Sequence, residues 1–112
     1  MGLYEELPVF KASYDLLLAL FILVKNLTRE YKYTIGEDMK KEVLETVKLI
    51  YVANTLRDKS EKIFEARQHL ATFRIYLRLM MDMKQIGLKK FTHINLLVEN
   101  VSKQLAGWQK SM

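Results

Sequence analysis

The sequence predicts an all-α protein, and three features carry that expectation. Only one proline and four glycines interrupt 112 residues, and Leu, Lys, Glu and Met are plentiful, a composition that suits long unbroken helices. Apolar residues recur at three- and four-residue spacing along every long stretch. The polar breaks between these stretches are short, which sets successive helices side by side and antiparallel. Together they describe an up-down-up-down four-helix bundle in which residues 1–112 form one domain.

Pro8 opens the first helix, since its missing N–H costs nothing in a first turn, and Glu5 and Glu6 suit the positive end there. This helix is predicted to run from about residue 8 to residue 27. Its centre, Leu16 to Val24, is apolar on all sides, which calls for burial in a bundle centre or under a second subunit. The connection Thr28 to Thr34 follows. Thr34, three residues before Glu37, reads as a capping box, with Asp38 adding a second carboxylate to the turn. The second helix is predicted to reach about Arg57, with Met39, Val43, Val47, Ile50 and Ala53 on its inner stripe and Lys40, Lys41, Glu45 and Lys48 solvated. Asn54 and Arg57 at the stripe's edge read as a structural polar pair.

Asp58, three before Glu61, marks a third helix start. That helix is predicted to end near Gln85, with Gly87 as the left-handed residue that stops it. A fourth helix follows from about Lys89 to Ala106, its inner face Phe91, Ile94, Leu97, Val98, Val101 and Leu105. Gly107 is predicted to end it, leaving Trp108 to fold back over the bundle and residues 110–112 to fray.

The third helix holds the main functional signal. At about 100° per residue, Arg74 and Arg78 fall within roughly 20° of Arg67, so the three arginines form one stripe. Leu70, Phe73, Leu77 and Met80 lie on one side of it, and Phe64, Ile75 and Leu79 on the other. A helix apolar on both sides of a basic stripe has more apolar surface than one monomer core uses. Such arginines either grip phosphate oxygens with their forked donors or pair with acids such as Asp15, Glu61 or Asp82. The residues alone leave these two readings level.

Net charge is +5. Residues 1–28 carry two basic and three acidic side chains and residues 29–58 six of each, whereas residues 59–85 carry six against three and residues 86–112 four against one. The whole excess therefore sits in the second half, a pattern that suits a polyanion partner.

Other chemistry finds little support. With no cysteine, disulfides, thiolate metal sites and cysteine nucleophiles are excluded. His69 and His93 are far apart in sequence, and Glu65 with His69 makes only an i, i+4 pair, short of a metal site. There is no glycine-rich phosphate loop and no nucleophile elbow, so the chain reads as no enzyme, with no cofactor, metal or small-molecule substrate. Met80, Met81 and Met83 read as core and interface filling. Tyr31 and Tyr33, flanking Lys32, either pack over the bundle end or stack on bases. The longest apolar run has nine residues, against about 20 for a membrane span. No signal peptide is evident, so a cytoplasmic protein without a membrane role is the expectation.

Several pieces carry a resemblance that extends from about Tyr14 to Ser111. They are Tyr33-Thr34-Ile35-Gly36-Glu37, Ala53-Asn54 with Arg57-Asp58, Arg74 with Leu77-Arg78-Leu79, and Gly107-Trp108. In this order and spacing the chain resembles the accessory variability determinant (Avd) family of diversity-generating retroelements. That family lies within a wider four-helix-bundle group that includes the ribosomal-protein-like products of 23S rRNA intervening sequences. The resemblance implies a barrel-like homopentamer with a positive surface, without catalytic residues, that binds nucleic acid and the element's reverse transcriptase. That polymerase copies a template RNA into adenine-mutagenised cDNA for transfer to a variable gene, the process of mutagenic retrohoming. Carried over by position, Arg74 and Arg78 become the leading contacts for nucleic acid or polymerase, with Arg67, Lys84, Lys89 and Lys90 behind them. The alternatives are a helical protein-protein interaction module and an rRNA-associated protein without a retroelement role.

Overall fold

The computed structural model describes residues 6–111. Its elements are α1 (Pro8–Lys25), the single-turn α2 (Arg29–Lys32), α3 (Ile35–Thr55), α4 (Ser60–Asp82) and α5 (Leu88–Lys110), and no strand occurs among the described residues. Four long helices thus make up the fold. α1 packs on α3 and α5, and α4 on α3 and α5, which closes a ring of four. The bundle measures 43 × 22 × 21 Å, with its long axis set by 23-residue helices of about 35 Å each.

Cross-helix contacts fix the directions. Val24 lies against Gly36 while Phe21 lies under the Lys40 ammonium, 4.9 Å from the ring centre. Residue numbers therefore fall along α1 as they rise along α3. The same holds for α4 and α5, where Arg67 meets Gln109 and Arg74 meets Glu99. The Thr28 hydroxyl donates to Gln85 Oε1 at 2.9 Å, bringing the ends of α1 and α4 together, as an up-down-up-down path requires.

The predicted stripes form the core. Met39, Val43, Val47, Ile50 and Ala53 are buried, as are Leu70, Phe73, Leu77 and Met80 of α4 and Ile94, Val98, Val101 and Leu105 of α5. Phe91, Leu97 and Trp108 pack against this cluster from its rim. Among the described residues two polar ones enter it, Ser13 and Thr46, and each hydroxyl donates to a carbonyl of its own helix, Phe10 and Glu42, at 2.9 Å. That local bond lets a hydroxyl be buried without a distant partner.

Helix ends depart from the sequence reading. Pro8 opens α1 as expected, with Glu6 just ahead of its N-cap Leu7, and Glu5 lies outside the described residues. The Thr34 capping box does not form, because the chain makes the extra turn α2 just before it. The Thr34 hydroxyl instead donates back to the Glu30 carbonyl at 2.7 Å, and Glu37 pairs with Lys40 at 2.9 Å. Asp58 acts two residues ahead rather than three: its Oδ1 accepts from the Ser60 hydroxyl at 2.6 Å and the Ser60 N–H at 3.1 Å. The hydroxyl first, and then the N–H, hold the Asp58 carboxyl below its ordinary pKa. Lys59 turns back to donate to the carbonyls of Ala53 and Leu56, placing a cation on the negative end of α3.

α4 ends through Lys84, not Gly87. The Gln85 N–H reaches the Met80 carbonyl and the Lys84 N–H the Met81 carbonyl, both at 2.9 Å, the paired bonds of a Schellman turn. Lys84 takes the left-handed position with φ 60°, whereas Gly87 has φ −84° and starts α5. α5 also runs through Gly107 to Lys110. A glycine weakens a helix interior by about 1 kcal/mol but stops it only where the chain turns left-handed, and here Trp108, half-buried on the core, keeps the helix going. Of the three residues expected to fray, Lys110 is helical and Met112 lies outside the described residues.

Candidate functional site

The α4 stripe is the first place to look, because the structure gives each of its arginines a different partner. Arg67 Nη1 donates to the amide oxygen Oε1 of Gln109 at 2.7 Å. Arg74 Nη2 pairs with Glu99 Oε1 at 2.9 Å, again across to α5. Arg78 Nε reaches both oxygens of Asp82 one turn along α4, at 3.1 and 3.3 Å. Asp82 is one of the acids the sequence reading named; Asp15 pairs with Lys11 instead. The consequence for charge is unequal. Arg74 and Arg78 face carboxylates that offset their charge locally, while Arg67 is oriented by a neutral amide.

Between the α4 and α5 backbones a groove of about 380 Å³ lies open, lined by Phe64, Arg67, Gln68, Leu70, Ala71, Arg74 and Ser102. Ala71 and Ser102 are small and leave the space. Arg78 sits one turn beyond, with its side chain 67% exposed. The remaining predicted residues gather at the α4–α5 turn. Lys84 occupies the left-handed position, and Lys89 and Lys90 are exposed in the first turn of α5, which contains no acid. Two lysines there add to the positive end of the helix. Lys90 also borders a smaller hollow of about 210 Å³ with Ile22, Asn26 and His93. The six predicted residues thus fall into two groups: Arg67, Arg74 and Arg78 along α4, and Lys84, Lys89 and Lys90 around its end.

A third basic hollow, of about 340 Å³, was not singled out in the sequence. Phe21, Ile22, Val24, Lys25, Lys32 and Lys40 line it. Lys40 is not a freely solvated side chain: it lies over Phe21 and pairs with Glu37. The two tyrosines differ in burial. Tyr31 packs against the core, whereas Tyr33 is 61% exposed with the Lys32 ammonium 5.5 Å from its ring centre. The methionines divide too, Met80 being buried and Met83 exposed.

His69 does not join Glu65. Its Nδ1 meets Glu42 Oε2 at 2.6 Å, bridging α4 to α3, and Glu65 faces Lys62. No group of three or more His, Asp or Glu side chains that could hold a metal ion occurs among the described residues. Among them also, no helix is long and apolar enough to cross a membrane.

Much apolar surface faces outward. On α1, Leu18, Phe21 and Ile22 are exposed; on α4, Phe64, Ile75 and Leu79 are. Both helices carry the second apolar side that the sequence implied.

Comparison with known proteins adds one finding. The sequence model of a family described as bAvd-like matches residues 9–112. No curated protein matches the chain.

Proposed function

Because the chain belongs to the bAvd-like family, we propose that it is a non-enzymatic accessory protein of a diversity-generating retroelement. In this reading it binds nucleic acid, RNA or cDNA, and the element's reverse transcriptase during mutagenic retrohoming. The family match over residues 9–112 carries the proposal. The charge distribution supports it, since α4, α5 and their turn hold the chain's positive excess and every predicted contact residue from Arg67 to Lys90. Phosphate contacts of this kind give affinity without sequence information, so selectivity falls to the polymerase or to RNA shape.

The working form is a cytoplasmic homo-oligomer, a pentamer by resemblance. Leu18, Phe21 and Ile22 on α1 support association, because a contiguous apolar face of this kind is costly to leave in water. Symmetry would then repeat each arginine stripe around the assembly. A second reading, a protein-protein interaction module, is favoured by the internal partners of all three arginines.

Arg74→Glu combined with Arg78→Glu separates them. Loss of nucleic-acid retention in a low-salt gel shift, at least about 100-fold in affinity given the reversal of two charges, is the expected result. Oligomer mass by light scattering and helicity should stay unchanged. Undiminished binding removes the stripe from the proposal, and disruption by apolar-face substitutions alone favours the interaction module.

A further inference from the structure

From the α4–α5 groove we infer a base-stacking subsite that makes the protein prefer single-stranded over duplex nucleic acid. This rests on the nucleic-acid reading above. Phe64 is 54% exposed at the groove's edge. Arg67 and Arg74, seven residues and about 10.5 Å apart along the helix, stand at successive levels of the same wall. Ala71 between them offers only a methyl group, and Ser102 opposite offers a small hydroxyl. An aromatic face, a planar cation and a hydroxyl around an open space match the three parts of a nucleotide.

Each partner has a chemical task. The Phe64 ring supplies a face that any base can stack on, independent of sequence. Arg67 has five N–H donors, of which Nη1 is used on Gln109. The others remain for phosphate oxygens, and among the described residues no carboxylate pairs with it. Arg74, shared with Glu99, is the weaker second grip. The Ser102 hydroxyl can donate to or accept from a sugar oxygen. In a duplex the bases are stacked and paired inside the helix, out of reach of Phe64, so the ring can reward only an unpaired strand.

Phe64 is exposed, so Phe64→Leu keeps the apolar bulk and removes the stacking face without emptying the core. The test measures fluorescence anisotropy of the full chain with a labelled single strand of about 15 nucleotides, the matching duplex, and an abasic single strand. Phe64→Leu should weaken single-strand binding about tenfold, the worth of one stacked base, and leave duplex and abasic binding unchanged. The abasic strand should bind the unaltered protein about as weakly as the intact strand binds the variant. Equal single-strand affinity in the variant overturns the subsite while the wider nucleic-acid reading stands. Failure of the unaltered protein to bind any of the three overturns both. A fall in oligomer mass on Phe64→Leu assigns the groove to a subunit contact and overturns the subsite as well.

Discussion

Along the α1–α3 seam a methyl group placed on Gly36 would come within 2.8 Å of Val24 Cγ1 and 3.1 Å of the Tyr31 carbonyl oxygen. Along the α4–α5 seam a groove of about 380 Å³ lies open, spanned by Arg67–Gln109 and Arg74–Glu99 bonds. At Gly36 the first seam is closed by van der Waals contact with a side chain and a backbone oxygen, although a hollow opens beside it between Phe21, Lys32 and Lys40. The second is closed at its surface by exposed polar bonds, each worth little in water, so an incoming phosphate can replace them at small cost. One bundle thus contains a point closed by shape, at Gly36, and a groove bridged only by exchangeable polar bonds.

The apolar surfaces differ in the same sense. On α1, Leu18, Phe21 and Ile22 form an outward patch with no charged residue between Leu16 and Val24. On α4, Phe64, Ile75 and Leu79 lie directly beside the stripe of Arg67, Arg74 and Arg78. Covering the first meets charge only at its rim, where Lys40 lies over Phe21 and already pairs with Glu37. Covering the second would strip water from cations, which is costly unless each finds an opposite charge. A second copy therefore suits α1 better, and a polyanion suits α4.

The largest effect expected from probing the contrast comes from Gly36→Ala. The added Cβ meets a backbone oxygen and a buried Val24 side chain, and overpacking of this sort costs about 1–3 kcal/mol. The melting temperature followed by circular dichroism should fall by roughly 4–8 °C for each kcal/mol in a domain of this size. An unchanged melting temperature would mean that the α1–α3 seam has slack, and the contrast would collapse.

The same substitution on the other side should have the opposite sign. A Cβ on Gly107 meets nothing within 4 Å, and the residue is helical and exposed. Gly107→Ala should therefore stabilise the protein by about 0.5–1 kcal/mol, by removing backbone freedom from the unfolded chain. If both alanines destabilise, Gly107 has a contact that the open seam does not supply.

These two glycines also mark what the sequence could reveal. Burial was legible because it repeats: every inner position named for α3 is buried, from Met39 to Ala53. Single-residue signals were not, because their outcome depends on neighbours. Gly107 looks like a helix stop until Trp108 is seen packed on the core, and Thr34 looks like a cap until α2 brings the Glu30 carbonyl beneath its hydroxyl. The arginine stripe was legible as geometry along α4, but its partners were not. Glu99 and Gln109 lie 25 and 42 residues from the arginines they meet, and only the α4–α5 register pairs them. That register also exposes Arg67 as the stripe arginine facing a neutral partner, where the family pattern had put Arg74 and Arg78 first.

Glu99→Gln should produce the smallest change in stability and the most telling change in binding. The Arg74–Glu99 pair has side chains 39% and 50% exposed, so its loss costs at most about 1 kcal/mol. The glutamine amide keeps an oxygen for Arg74 but withdraws the competing charge. Arg74 then resembles Arg67, held by a neutral group and free to attract phosphate. Affinity for a single-stranded oligonucleotide should rise a few-fold, and the slope of log affinity against log salt should steepen by up to about 1, as one more phosphate contact forms. Glu45→Gln is the matched control. It also removes one negative charge, from an exposed pair with Lys48 on α3, but leaves the groove alone. An equal rise in both variants would show that net charge alone governs binding. A rise confined to Glu99→Gln places the anion at the α4–α5 seam, because there Glu99 competes with it for Arg74.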